Sequence, residues 1–433
     1  MKKLLLTFSI VASLFANNDL RFNQKYSIKT IEFEGKIYKI RAYENIPYVK
    51  NIIDKDYQSF NFYILDENDD KKLQKAPIFL PNFIGGYRSA KITYIDDKSP
   101  FTQASLKALS NGYAVILAGF RGANNIKDGE YFGKAPASIV DLKALVRYLH
   151  FNDDLMLGDA NKIISNGTSA GGAMSLLLGL SQNTNDYDEY LEKLGAAKAD
   201  DSIYAISSYC PITNLENADM AYEWQFNDNY DYKTLKFSDM VDFRKKREFV
   251  TGKLNEEQIR ESKKLAKDFV AYLNSLNLVY KGKKLNLNDD LNGSFKDYLT
   301  EILGADLNIT RSKITLAFDK ADLSSAENEL FGDNTTKANH FSQNYESKTD
   351  KKLVDLMNIM NYLNNDKAAK FIRIRVGKLD SDTSFAISAI VALKLMENGF
   401  NVDYKLVDGV GHKGDYDLDE LFAWIDEVVQ ENN

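Results

Sequence analysis

The stretch from Lys162 to Leu180 leaves the backbone few options. An apolar run around Ile163 and Ile164 meets Gly167-Thr168-Ser169-Ala170-Gly171, and Gly172 to Leu180 continues as an apolar helix pattern. A strand that turns at once into a helix must lie beside other strands and beneath its own helix, so the segment predicts a sheet with helices packed on it. The pentapeptide has the G-x-S-x-G form. Such a turn holds its serine in a strained conformation, and the glycines remove side chains that would strike the neighbouring strand and helix. The helix N-terminus then favours a developing oxyanion, with the backbone N–H of Ala170 as one donor. Without chemistry, the same segment is a glycine-rich strand-to-helix turn.

The flanking sequence supports a sheet. Ile28–Phe33 and Lys36–Tyr43 alternate around Glu34-Gly35, a hairpin signal, and Asn61–Leu65 continues the strands. Strand and helix patterns then alternate. Strands are predicted at Pro77–Leu80, Tyr113–Ala118, Lys162–Ser165 and Tyr204–Ser207, with a helix ending at Leu106–Ser110. Another helix takes Pro136 as its first residue and keeps Ile139, Leu142, Leu145, Val146 and Leu149 on one face. Between about residues 209 and 370 the alternation stops. That stretch is polar and Gly-broken apart from an amphipathic helix over Glu256–Leu276 that turns Ile259, Ala266, Phe269, Val270, Leu273 and Leu276 inward. The rhythm returns with a strand at Phe371–Val376, a helix at Ser384–Glu397, a strand at Val402–Val407 and a final helix at Leu418–Val429. The fold class is therefore α/β, a mostly parallel sheet with helices on both faces. Residues 17–208 and 371–433 form its body, and a large, mainly helical and irregular cap at 209–370 is inserted into it.

The residue supply limits the chemistry. A serine hydroxyl needs a base, and the chain offers three histidines, His150, His340 and His412. His150 ends an amphipathic helix and reads as structural; His340 lies in the irregular cap and reads as a solvated surface residue. His412 follows a predicted strand through Asp408-Gly409-Val410-Gly411, at the strand edge where α/β sheets gather their sites, and is the candidate base. The orienting acid is expected after an earlier strand. Phe371–Val376 runs into a loop carrying Asp380 and Asp382, and either fits, the other being free to cap the next helix. A second oxyanion donor is expected after Pro77–Leu80, where Gly86, with Gly85 as its alternative, supplies a backbone N–H.

The remaining composition mostly excludes. One cysteine, Cys210, rules out an internal disulfide and multi-cysteine metal sites, and neither a metal nor a cofactor is expected. A net charge of −7 leaves no basic field for nucleic acid. Met1-Lys2-Lys3 followed by an apolar run from Leu4 to Phe15 reads as a signal peptide, residues 1–16, with cleavage after Ala16. No cysteine follows to carry a lipid, and no later stretch is apolar enough to span a membrane. The chain is thus read as exported, periplasmic or secreted.

Several segments resemble the bacterial tannases, tannin acyl hydrolases of the α/β-hydrolase fold. The nucleophile segment Ile163 to Gly172 is similar to theirs. So are Asp219-Met220-Ala221-Tyr222-Glu223-Trp224 and Leu323-Ser324-Ser325-Ala326-Glu327-Asn328 in the cap, Asp380-Ser381-Asp382-Thr383-Ser384, and His412-Lys413-Gly414-Asp415-Tyr416-Asp417. The resemblance implies Ser169 as nucleophile, His412 as base and Asp380 as acid. It further implies that Lys313, Glu327 and Asp382 hold the phenolic hydroxyls of a galloyl ring, although Ile314-Thr315-Leu316 stands where the family carries prolines. The implied partner is a small polyphenol ester, and no cofactor is needed. Rival readings are a feruloyl or acetyl esterase with the same triad, a serine peptidase of the same fold, and a non-catalytic polyphenol-binding protein.

Overall fold

The computed structural model describes residues 20–235 and 248–430, so the expected leader at residues 1–16 lies outside them. Among the described residues nine strands form one sheet: β1 (Ser27–Phe33), β2 (Lys36–Pro47), β3 (Ser59–Leu65), β4 (Pro77–Pro81), β5 (Ala114–Ala118), β6 (Asp159–Thr168), β7 (Ala205–Tyr209), β8 (Phe371–Gly377) and β9 (Asn401–Val407). Across the sheet they run β1-β2-β3-β5-β4-β6-β7-β8-β9. The first three are antiparallel, β3 pairs antiparallel with β5, and every pairing from β5 to β9 is parallel. The order reverses between β4 and β6. At such a switch point the connections leave in opposite directions and open a crevice at the strand C-termini.

The helices that frame the site are α1 (Gln103–Ser110), α2 (Ala137–Phe151), α3 (Ala170–Leu180), α4 (Leu215–Gln225), α5 (Glu256–Ser275), α6 (Ala326–Leu330), α7 (Phe385–Glu397) and α8 (Leu418–Gln430). Strand periodicity sorts them onto two faces. Ile78, Leu80, Ile116, Ile163 and Ile206 point to one core, shared with α2, α3 and α7. Their sequence neighbours Phe79, Val115, Leu117, Ile164 and Ala205 point to the other, shared with α1 and α8. Each fully buried Leu, Ile or Phe contributes about 1.5–3 kcal/mol. Helix α3 is buried along its whole length. It lies between the sheet, α2 and residues 359–362, which explains a helix sequence with no polar face.

Residues 210–370 leave the sheet after β7 and return at β8, its direct neighbour, through Ala205 opposite Phe371. In this insertion α4 packs on α5, with Trp224 against Phe269 at 5.3 Å between ring centres. Helix α5 buries Ala266, Phe269, Val270 and Leu273 as expected; Ile259 is half-buried, as is Leu276, which lies just past the helix end, while Ser262 and Leu265 join the buried side. Pro136 is a small correction. It precedes the first helical residue instead of occupying it, because its own backbone (φ −99°, ψ 28°) is not yet helical. No helix of the described residues is long and apolar enough to cross a membrane.

Candidate active site

Ser169 sits at the switch point, between β6 and α3. Its φ of 61° and ψ of −122° are strained for a residue with a side chain. The glycines around it are steric necessities. A Cβ on Gly167 would lie 2.3 Å from Gly171 O, one on Gly171 2.6 Å from Asn82 Oδ1, and one on Gly172 2.7 Å from Tyr209 O. The strained turn is fixed by the Ser169 N–H bond to Tyr209 O at 2.9 Å. Ser169 is partly exposed, and its hydroxyl makes no hydrogen bond among the described residues.

His412 and Asp380 arrive from the ends of β9 and β8. His412 Nδ1 lies 2.8 Å from Asp380 Oδ2. The other oxygen, Oδ1, accepts the N–H of Asp382 at 2.9 Å, so the fully buried carboxylate is oriented from two sides. This pairing selects the first aspartate. The cap of the next helix is Ser384, which accepts the N–H of Ala386 at 3.1 Å. Burial opposes a charge on His412, and the Asp380 carboxylate, with the Cys210 side chain beside it, outweighs that and holds the imidazole pKa well above the ordinary range. The histidine loop lies on the elbow strand. Asn166 Nδ2 donates to Asp415 Oδ1 at 3.0 Å, and a Cβ on Gly414 would fall 2.0 Å from Thr168 Oγ1. Beneath the loop, Asp417 binds Arg373 and accepts the Tyr209 hydroxyl at 2.6 Å.

Ala170 opens α3, and Gly86 lies on the loop after β4; neither N–H has a protein acceptor among the described residues. Gly86 has φ +54°, and its Cβ position faces the Ala326 Cβ at 3.5 Å. The cap helix α6 therefore stands directly against the loop expected to bind an oxyanion.

The three expected recognition residues converge from separate segments. Tyr222 of α4 accepts the backbone N–H groups of Ser312 and Lys313 at 3.1 and 3.0 Å and donates to Ser381 O at 2.8 Å. Ser312 Oγ also donates to Asp382 Oδ1 at 2.6 Å. Lys313 is thereby tied to the acid loop, with its ammonium 5.2 Å above the Phe318 ring. Glu327 of α6 is 5% exposed. Burial pushes its carboxyl pKa up, while Lys313 and Lys320 oppose the shift.

Sequence reasoning missed the groups that hold this arrangement. Arg311 and Glu223, both fully buried, pair at 2.6 Å, and Arg311 Nε donates to Lys313 O at 2.7 Å. Asp219, buried and pushed up to about 7 by desolvation, accepts the N–H groups of Phe318 and Asp319 at 2.9 and 3.0 Å. Asp319 in turn accepts from Asn328 at 2.7 Å and binds His340 Nδ1 at 2.7 Å. His340 is therefore no solvated surface residue. It adds to the donors that Asn328, Phe341 and Ser342 give the buried Asp319 carboxylate, and its ring stacks on Tyr345 with 3.5 Å between ring centres. His150 accepts a structural place, with Nε2 2.8 Å from Ser202 O. Lys320 was also missed: it is half-buried, and burial first and Lys313 second lower its pKa. Of this scaffold, Asp219 to Trp224 and Asn328 lie in segments that the family resemblance covers, and none of these scaffold residues carried an assigned role.

Comparison with known proteins now bears on this geometry. A family model described as BD-FAE matches residues 85–250. A search of curated proteins finds no match. Among solved structures, the Fusobacterium nucleatum tannase is 44% identical, covers 95% of this chain and 99% of its own, and superposes with a TM-score of 0.89. The Lactobacillus plantarum tannase is 35% identical over 94% of this chain and 99% of its own, with a TM-score of 0.88. A tannin acyl hydrolase in complex with ethyl gallate is 35% identical over 95% of this chain and 99% of its own, with a TM-score of 0.86.

Proposed function

The chain belongs to the tannase family, ester hydrolases of the α/β-hydrolase fold, and from that membership we propose that it cleaves galloyl esters with Ser169, His412 and Asp380 as its triad. The observation that carries the reading is the 2.8 Å contact of His412 Nδ1 with a buried, doubly held Asp380 carboxylate, whose loop also carries Asp382, bonded to Ser312 next to Lys313. Chemistry and recognition thus share one loop.

Ser169 Oγ attacks the ester carbonyl, and His412 Nε2 takes its proton. Asp380 holds the other nitrogen's N–H and stabilises the imidazolium. The N–H groups of Ala170 and Gly86 receive the carbonyl oxygen as it becomes an oxyanion. His412 returns the proton to the departing alcohol, and water then releases the acyl group by the same steps reversed. A galloyl ring presents three adjacent hydroxyls, which are donors suited to the Glu327 and Asp382 carboxylates and acceptors for Lys313. The complexes of a relative with ethyl gallate and with 3,4-dihydroxybenzoate support a phenolic acyl group.

Purified protein should release gallate from methyl gallate, and Ser169→Ala should lose about 10⁴–10⁶-fold in kcat. Faster cleavage of hydroxycinnamate than gallate esters would replace the substrate while keeping the triad. Export through residues 1–16 belongs to the same proposal, supported by the charged and apolar N-terminus. N-terminal sequencing of the protein from its native host should begin at Asn17.

A further inference from the structure

The only cysteine of the chain lies beside the catalytic histidine and has no part in ester hydrolysis. Cys210 follows β7 directly with φ +37° and is fully buried. Its N–H donates to Arg375 O at 2.7 Å, and its Sγ lies 3.7 Å from Lys413 O, the residue after His412. Cys210 Sγ, an imidazole nitrogen of His412 and a carboxylate oxygen of Asp380 all lie within 4.8 Å of one another.

We propose that these three side chains form a binding site for a thiophilic divalent cation such as Zn²⁺ or Cd²⁺, and that the bound cation switches hydrolysis off. The inhibitory half rests on the triad reading above; the binding half does not. One sulfur, one nitrogen and one oxygen make the mixed donor set such cations accept, with a fourth position left to water on the partly exposed side of His412. Metal–donor bonds of about 2.0–2.3 Å put tetrahedral donors about 3.3–3.7 Å apart, so donors at the 4.8 Å limit close in by about an ångström, and His412 Nδ1 and Asp380 Oδ2, at 2.8 Å, would open by about half an ångström. Binding forms three bonds to the cation and releases the thiol proton to water. Neutral His412 has one lone pair. Ligation through Nε2 consumes the pair that would take the serine proton, and ligation through Nδ1 drives the ring proton to Nε2. Either way no base remains for Ser169. Mg²⁺ and Ca²⁺ seek six or more oxygens and find a single carboxylate here.

The test uses the full mature protein and two probes. One equivalent of Co²⁺ should raise a thiolate-to-cobalt absorption band, absent in Cys210→Ser and Cys210→Ala. Zn²⁺ should abolish methyl gallate hydrolysis, chelator should restore it, and Mg²⁺ should do nothing. The Zn²⁺ concentration for half-inhibition should rise at least about tenfold in both variants. Absence of the cobalt band in the unaltered protein, or equal Zn²⁺ sensitivity in a folded Cys210 variant, overturns the proposal. If no galloyl ester is cleaved, the cobalt band still decides whether the site exists, so the two readings fail separately.

Discussion

The body and the cap hold the residues proposed for catalysis and recognition by different means. In the body, Ser169, Asp380 and His412 stand at the ends of β6, β8 and β9, strands locked into one sheet by regular pairing and two apolar cores. In the cap, Lys313 lies in no regular element and Glu327 on a helix of five residues. Their positions come from a buried polar scaffold, Arg311–Glu223, Asp219 and Asp319, with Tyr222 as the stitch to the acid loop. The contrast teaches a division of labour. A sheet fixes a few directions well and suits chemistry, which repeats from one substrate to another. An irregular insertion held by specific pairs can place a charge anywhere, and suits recognition.

The largest effect should come from breaking the body's one decisive polar contact. Asp380→Asn leaves the shape and removes the charge, and kcat should fall about 10³–10⁴-fold with little change in fold. The pH profile gives the sign. The folded His412 pKa is raised, so the stabilisation it brings is complete below the unfolded histidine value and is lost as pH rises through the folded one. Activity needs the neutral ring and rises across the same window. The acid limb of kcat/KM should therefore lie above the ordinary histidine range and move down in Asp380→Asn. An unmoved limb would separate His412 from the limb altogether.

Next in size is the cap's own keystone. Arg311→Met removes the counter-charge of the fully buried Glu223 and leaves its carboxylate only the Ser262 hydroxyl, at a cost of about 3–5 kcal/mol, and Arg311→Met with Glu223→Leu should regain most of it. The chain has two tryptophans, Trp224 in α4 and Trp424 in α8, so single-tryptophan variants report the cap and the body separately in urea. The Trp224 signal should shift and the Trp424 signal should hold. Equal shifts would show one cooperative unit and dissolve the contrast.

Legibility in the sequence followed the same divide. The apolar pattern placed all nine sheet strands and five helices of the body within a few residues, because apolar runs such as Pro77–Leu80 or Ile163–Ile164 are the packing itself; the short helices Asp70–Leu73 and Asp188–Leu194 went unread. Strand ends and glycines then located Ser169 and His412 and left Asp380 and Asp382 open; the family resemblance chose Asp380, and Asp380 is the one that lies 2.8 Å from His412. The cap resisted. Arg311 and Glu223 are 88 residues apart, Asp219 and Asp319 a hundred, and nothing in local pattern marks a charge as destined for burial. Lys313, Glu327 and Asp382 were reached by family resemblance alone, and His340 was misread because its partner Asp319 is invisible from its neighbours. Cys210 was counted and excluded as a disulfide former, without any hint that it adjoins the base.

Recognition offers a smaller effect that probes the cap directly. Glu327→Gln keeps a hydrogen-bonding shape and removes the charge, and KM for methyl gallate should rise about 10–100-fold. An unsubstituted benzoate ester, with no hydroxyl to offer, should be indifferent. Because burial raises the Glu327 pKa, the unaltered enzyme should lose gallate affinity as pH falls through that value, and Glu327→Gln should not. An equal loss for both esters would make Glu327 a structural residue of α6.

The smallest effect tests the seam between the two regions. Helix α7 begins in the body just after the acid loop, and its first turn is capped twice. Ser384 Oγ accepts the N–H of Ala386 at 3.1 Å, while Gln225 Oε1, reaching over from the cap's α4, accepts the N–H of Phe385 at 2.7 Å and the Ser384 hydroxyl at 3.0 Å. Loss of a serine cap ordinarily costs about 1 kcal/mol. In Ser384→Ala the Gln225 bond to Phe385 persists, so the denaturation midpoint should shift by no more than that and kcat should change little. Removing Gln225 together with Ser384 should then cost more than the two single changes added, since each cap covers for the other. Simple additivity would mean that the cap merely rests on the catalytic sheet at this point, and that the acid loop is held by the body alone.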